Sequence, residues 1–449
     1  MKMSKSKLLY VTLASSLTIF ATACGAKKTD SSNQTIKFSQ NVPKKAIKKG
    51  GTLTYALENE SPFTGIFLSE IADTSPDVEA AAPGDESLFS INDQYQITDK
   101  GAATLKLNHH DNTAKIKVKD KVRWSDGKPV VAKDLEYSYE ILANPKVQTT
   151  QYTSSLENIK GMAEYHQGKA KEISGIEMPD GPNGKTLILH FKELKPAMLN
   201  AASGFYWEHA APYHYLKKVP FEKLVSSDQV RKHPLYFGPY KMDKTVQGQS
   251  TSWSRNPYYW RGKPNFAHIY MSNITNSNVS QAIKSHKFDV ASVLDSQWLQ
   301  VKNTKGVNFV GKKTLSYNYL AFKVGKWDQK LGKNVENPHA KMNNPALRKA
   351  MAYAMNVDVI NNRFYHGLKF RVNSLIPSQF TPYYDKNIPT YSYNLNKANE
   401  LLDKAGYKKA PGALYRRQPN GKPLVINMDQ AKTARRSGAT ISSNGKKPA

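Results

Sequence analysis

A run of sixteen uncharged residues, Leu8–Ala23, constrains this chain more than any other feature. It falls short of the roughly 20 apolar residues that a bilayer-spanning helix needs. No later stretch is as long and as apolar, so the rest of the chain must bury its apolar residues against one another. Lys2, Lys5 and Lys7 precede the run and the small residues Ala21, Thr22 and Ala23 close it, which is the pattern of a secretory signal over 1–23.

The only cysteine, Cys24, stands directly behind that run and ahead of Gly25. A lone cysteine cannot form an internal disulfide, and this position suits thioether attachment of a diacylglycerol followed by cleavage before it. The arrangement is lipobox-like, although Ala21 stands where a lipobox prefers Leu. From 24 to about 50 the chain is rich in Lys, Ser, Asn, Thr and Gln, and reads as a flexible tether.

About 400 residues remain, enough for two or three domains with cores of their own. The formal net charge of +29 raises the question of nucleic acid. Basic residues are spread along the whole chain, no recognition motif is present, and an exported protein does not meet a genome, so nucleic acid is excluded. An anionic cell-wall environment accounts for the charge better.

Gly51 opens a short buried strand, Thr-Leu-Thr-Tyr-Ala-Leu. Between Lys115 and Trp124, Ile116, Val118 and Val122 alternate with Lys117, Lys119, Lys121 and Arg123, a period-two strand with one wet face. Ser125, Asp126 and Gly127 then form a tight turn, and a helix runs through Leu135, Tyr139 and Leu142. Two further strands, 173–178 and 186–191, flank the turn 180–185 as a hairpin. Asn344 and Pro345 supply a cap and a first-turn proline for a helix striped by Leu347, Ala350, Met351, Ala354 and Met355. Helices over 358–367 and 396–405 follow, the last stopped by Gly406. Strands and helices mix without strict alternation, as in α/β or α+β lobes.

The nearest approach to a phosphate loop, Pro179–Thr186, has proline where the first glycine must turn, and it runs on into a strand rather than a helix. His109 and His110 are adjacent and cannot both face one metal from a strand. No catalytic motif is present, so neither an enzyme nor a cofactor or metal is expected. Aromatic residues cluster at Tyr236, Phe237, Tyr240, Trp253, Tyr258, Tyr259 and Trp260, and again at Tyr317, Tyr319 and Phe322. Two thirds of these suit a core; the rest could line a large cleft that tolerates varied side chains.

Several passages resemble the family 5 solute-binding proteins, whose best-known members are oligopeptide-binding lipoproteins of ABC importers. The most specific spans Val122–Ser138 (VRWSDGKPVVAKDLEYS). Phe237–Tyr240 with Arg255–Trp260, Phe288–Val290, Tyr317–Phe322 and Asn344–Ala350 follow in the family's order. The resemblance implies a two-lobed, type II periplasmic-binding-protein-like fold with a hinge. The first lobe would span 51–316, with the family's extra subdomain, and a partial second lobe would span 317–428, closing on 423–428 as a strand. Family members continue well beyond that strand, and 429–449 is basic and aperiodic, so the expectation is a truncated, half-built second lobe with impaired binding and an aberrant tail.

The resemblance places ligand contacts at Asn59 and Glu60 in the loop after the first strand and at Asp295, Ser296, Tyr317 and Asn318 near the crossover, and among the clustered aromatic residues Phe237 is the expected peptide contact. It implies a monomer, lipid-anchored on the outer face of a Gram-positive-type cell membrane, that passes oligopeptides to ABC permease subunits. Other solutes, or adhesion to anionic wall polymers, are the alternative readings.

Overall fold

The computed structural model describes residues 38–39, 49–59, 61–201, 203–311 and 313–428, which all belong to one compact unit, 35–449. Cys24, the signal, nearly all of the tether, Glu60 and the tail from 429 lie outside the described residues.

The strands are β1 (Thr52–Glu58), β2 (Ser90–Ile91), β3 (Ile97–Thr98), β4 (Ala103–Asn108), β5 (Thr113–Val118), β6 (Ile176–Glu177), β7 (Thr186–His190), β8 (Tyr240–Val246), β9 (Ser250–Arg255), β10 (His268–Ile274), β11 (Val290–Ala291), β12 (Gly325–Asp328) and β13 (Lys333–Glu336). The helices are α1 (Ser75–Ala81), α2 (Ala132–Ala143), α3 (Met162–His166), α4 (Tyr213–Leu216), α5 (Asp228–Arg231), α6 (Asn276–Lys284), α7 (Trp298–Val301), α8 (Pro345–Ala354), α9 (Val357–Tyr365) and α10 (Leu395–Lys404). Mixed strands and helices give the α/β architecture expected from the sequence.

Two sheets carry the packing. The larger has the order β11-β1-β10-β9-β8, with β11, β1 and β10 parallel and β10, β9 and β8 antiparallel. The smaller, β4-β5-β7-β6, is antiparallel throughout. In β5 the residues Ala114, Ile116 and Val118 are buried while Lys115 and Lys117 are exposed, so the period-two reading holds. The strand stops at Val118, earlier than the alternation suggests, because the Val122 N–H turns back to the Lys119 carbonyl at 3.0 Å.

The signature passage folds as strand, turn and helix, and its chemistry is structural. Gly127 takes φ +90°, a conformation that strains any residue with a Cβ. Trp124, 1% exposed, donates through Nε1 to Asp134 at 2.9 Å. Asp134 also accepts the backbone N–H groups of Val131 and Tyr213, each at 2.9 Å. Val131 supplies no side-chain cap to α2, and Asp134, reaching back from the first turn, takes over half of that role.

The largest core packs Trp124, Tyr139, Leu142, Leu187, Phe191 and Phe237 with the small sheet. Phe237, expected at the ligand, is only 3% exposed and meets the Trp124 ring edge-on at 5.5 Å. Its ring is thus part of the core packing. A second cluster, with Leu57, Phe67, Trp253 and Met271, and a third, with Val279, Ile283 and Val301, pack on the five-stranded sheet and α6.

The Asn344 cap forms as expected, its Oδ1 accepting the Ala346 N–H at 2.9 Å, and Gly406 takes φ +79° after α10. The expected strand over 423–428 does not form. Pro423 makes only an isolated bridge with Arg417, and 424–428 belong to no ladder. A strand needs a neighbouring strand to pair with, and among the described residues no strand pairs with this segment.

Candidate binding cleft

In open sheets, ligand crevices form beyond the carboxyl ends of parallel strands. Here β10, α6 and β11 form a crossover that places two parallel neighbours on either side of β1. The β1/β10 register sets Leu57 opposite Asn273 and Glu58 opposite Ile274, and the Asn59 N–H donates to the Ile274 carbonyl at 3.3 Å. The strand ends therefore gather Glu58, Asn59 and Asn273 next to the start of α6.

These ends are rich in polar atoms without partners. Both Glu58 carboxylate oxygens, Asn59 Nδ2 and Asn273 Oδ1 are buried and have no hydrogen-bond partner among the described residues. The same holds for Ser280 Oγ on α6 and for Gln297 Oε1, whose Nε2 donates to the Asn276 carbonyl. Burial, reinforced by the neighbouring Glu79 carboxylate, raises Glu58 to about 7. Tyr55 donates its hydroxyl to Glu79 Oε1 at 3.0 Å and is raised by burial to about 12.

Alongside runs a cleft of about 3770 Å³. Four of the residues expected from sequence come together on its wall: Asp295 and Ser296 from the short turn Asp295–Gln297, and Tyr317 and Asn318 from an extended segment. Asp295 pairs with Lys369 at 3.1 Å, and that ammonium also lies 3.7 Å from the centre of the Tyr365 ring. Tyr317 and Tyr319 hold their rings 5.9 Å apart. β11 joins the two regions, since Val290 and Ala291 line the cleft and pair with Tyr55 and Ala56 of β1. Asn59 stands at the strand end and Phe237 in the core, while Glu60 and Cys24 are outside the described residues.

Sequence reasoning passed over Glu58, Asn273, Ser280 and Gln297. One signal was readable: Glu58 closes an apolar strand with an acid, where a buried parallel strand has no solvent to take the charge. Among the described residues no group of three or more His, Cys, Asp or Glu could hold a metal, and no helix is long and apolar enough to cross a membrane.

The arrangement, an open cleft beside the carboxyl ends of parallel strands, is that of a ligand-binding protein. The family model "Bacterial extracellular solute-binding proteins, family 5 Middle" matches residues 101–445. The oligopeptide-binding protein OppA of Lactococcus lactis subsp. lactis is 36% identical over 444 residues, covering 94% of this chain and 72% of that protein. A solved structure of lactococcal OppA, complexed with an endogenous peptide in the closed conformation, superposes with a TM-score of 0.71 at 34% identity, over 88% of this chain and 77% of that one. The Campylobacter jejuni NikZ structure shares the fold, with a TM-score of 0.60 at 23% identity over 83% and 66% of the two chains. This chain belongs to the family 5 bacterial extracellular solute-binding proteins.

Proposed function

We propose that this protein captures oligopeptides outside the cytoplasm and delivers them to the permease subunits of an ABC importer, with no covalent chemistry and no cofactor. The observation that carries this reading is the 36% identity to OppA over 94% of the chain. The cleft supports it: about 3770 Å³ is far larger than the roughly 300–1,000 Å³ of a small-molecule pocket, and suits a chain-like ligand. β11 is an edge strand beside the cleft, so peptide main chain can pair there while side chains fill roomy space.

In this reading Asp295, Ser296, Tyr317 and Asn318 contact the ligand, and Asn59 and Glu60 close the loop end. A first lobe over 51–316 and a second over 317–428 close on the ligand by a hinge. The signal over 1–23 directs export, Cys24 carries the lipid, and 24–50 tethers a monomer to the outer face of the cell membrane.

Isothermal titration of the purified chain with a pool of short peptides tests the capture. Saturable binding is expected; an absence of binding by folded protein, together with salt-sensitive binding to anionic polymer, overturns it. Separately, Cys24→Ser is expected to abolish incorporation of labelled palmitate in the native host, and persistent labelling would refute the anchor.

A further inference from the structure

We infer that Phe38, on the segment ahead of β1, is a positioning residue of the cleft: it holds the Trp298 ring in the wall that meets the ligand. The inference rests on the capture reading above and adds a residue to its machinery.

Phe38 and Ser39 come from the stretch between Cys24 and β1. Ser39 forms a parallel bridge with Val310, and its carbonyl accepts the Gly311 N–H at 3.1 Å. This clip sets the Phe38 ring edge-on to Trp298 with centres 5.1 Å apart, and Phe309 meets the same indole edge-on, also at 5.1 Å. Edge-to-face pairs are directional, so two of them fix an indole that apolar contact alone would leave free to turn. Its own helix gives Trp298 little hold, because α7 is a single turn whose buried residue is Val301. Phe38, Trp298, Phe309 and Gly311 all line the cleft, and Trp298 follows directly on the turn that carries Asp295 and Ser296.

Gly311 shows how close the fit is. A Cβ at that position would stand 2.6 Å from Phe38 Cδ2 and 2.7 Å from Phe38 Cβ, nearer than real Cβ contacts come. Gly311 does not take a positive φ, so backbone conformation does not call for glycine there. The approach of the Phe38 ring does.

Isothermal titration with the pool of short peptides, run on the full chain and on four variants, tests this. Phe38→Ala should weaken apparent binding about fivefold, as the loss of one aromatic pair implies. Its melting temperature should stay that of the unaltered chain, because the ring is only half-buried and one bridge holds its segment. Phe38→Tyr keeps the ring and should bind as the unaltered chain does. Gly311→Ala pushes the ring off Trp298 and should lose as much as Phe38→Ala. Combining Phe38→Ala with Gly311→Ala should lose no more than either alone, since both act through one contact. Unchanged binding by Phe38→Ala, an equal loss in Phe38→Tyr, losses that add in the double variant, or a melting temperature that falls along with affinity each overturn the inference while leaving capture intact. No binding by the unaltered, folded chain overturns capture, and the inference falls with it.

Discussion

Residues 49–301 and 310–428 are built on different principles. The first region holds every large core cluster, including fully buried Trp124, Trp253, Tyr139, Phe63 and Phe191. In 317–428 the buried apolar residues among those described are Leu347, Ala350, Ala398 and Tyr407, while Tyr319, Leu375 and Leu414 are 75%, 73% and 67% exposed. Its one sheet is the β12–β13 hairpin, on which Trp327 is 61% exposed. A two-stranded hairpin is marginal on its own. Many of the exposed apolar residues, among them Tyr319, Leu320, Phe370, Val372 and Ile426, form the wall of the cleft. Large exposed apolar patches mark surfaces that meet a ligand or partner. The first region therefore carries the packed cores, while the second leaves much of its apolar surface along the cleft, whose wall both regions share.

Substitutions ranked by size can break that contrast. Trp124→Ala removes a ring packed against Phe237 and should destabilise the chain by about 3–5 kcal/mol in a denaturant titration. Asp134→Ala strands the Trp124 indole N–H and two backbone N–H groups, at a cost of about 3 kcal/mol. Leu347→Ala, although its side chain is 2% exposed, should cost about 2 kcal/mol, the low end for a buried leucine, because its thin surroundings can collapse. If it costs as much as Trp124→Ala, the second region has a real core and the contrast fails.

Smaller effects sharpen the same division. His209 bonds Asp85 at 3.0 Å; burial opposes its charge, but the Asp85 and Glu70 carboxylates overcome this and raise it to about 9. A histidine raised in the folded state contributes stability that is complete below its unfolded value of about 6.5 and is lost as pH climbs through about 9. Melting temperature should accordingly fall between those limits, and His209→Gln should flatten the curve. Tyr319→Ala, by contrast, should shift stability by no more than about 0.5 kcal/mol while weakening peptide binding, as expected for a wall residue rather than a core one.

The scaffold was legible in the sequence wherever local chemistry decides structure. The alternation of β5, the turn at Gly127, the Asn344–Pro345 cap and the Gly406 stop each depend on a few neighbouring residues, and each formed. The cleft was legible in part, because the resemblance places Asp295, Ser296, Tyr317 and Asn318 near the crossover, and the fold brings them to one wall. What was not legible is long-range packing and pairing. The 423–428 strand depends on which distant segment pairs with it, as Phe237 depends on which rings pack against it, and composition is silent on that. Glu58 was missed for the opposite reason: its meaning lies in partners it lacks, which only the β1/β10 register exposes.

Photo-crosslinking with a peptide that carries a reactive group at each position in turn, read out by mass spectrometry, tests the account most directly. Crosslinks should concentrate on 58–59, 292–296 and 317–320, where the strand ends meet the cleft. Crosslinks on the outer face of the β4–β5 sheet, around Lys106, Lys115 and Lys117, with none in the cleft, would contradict it.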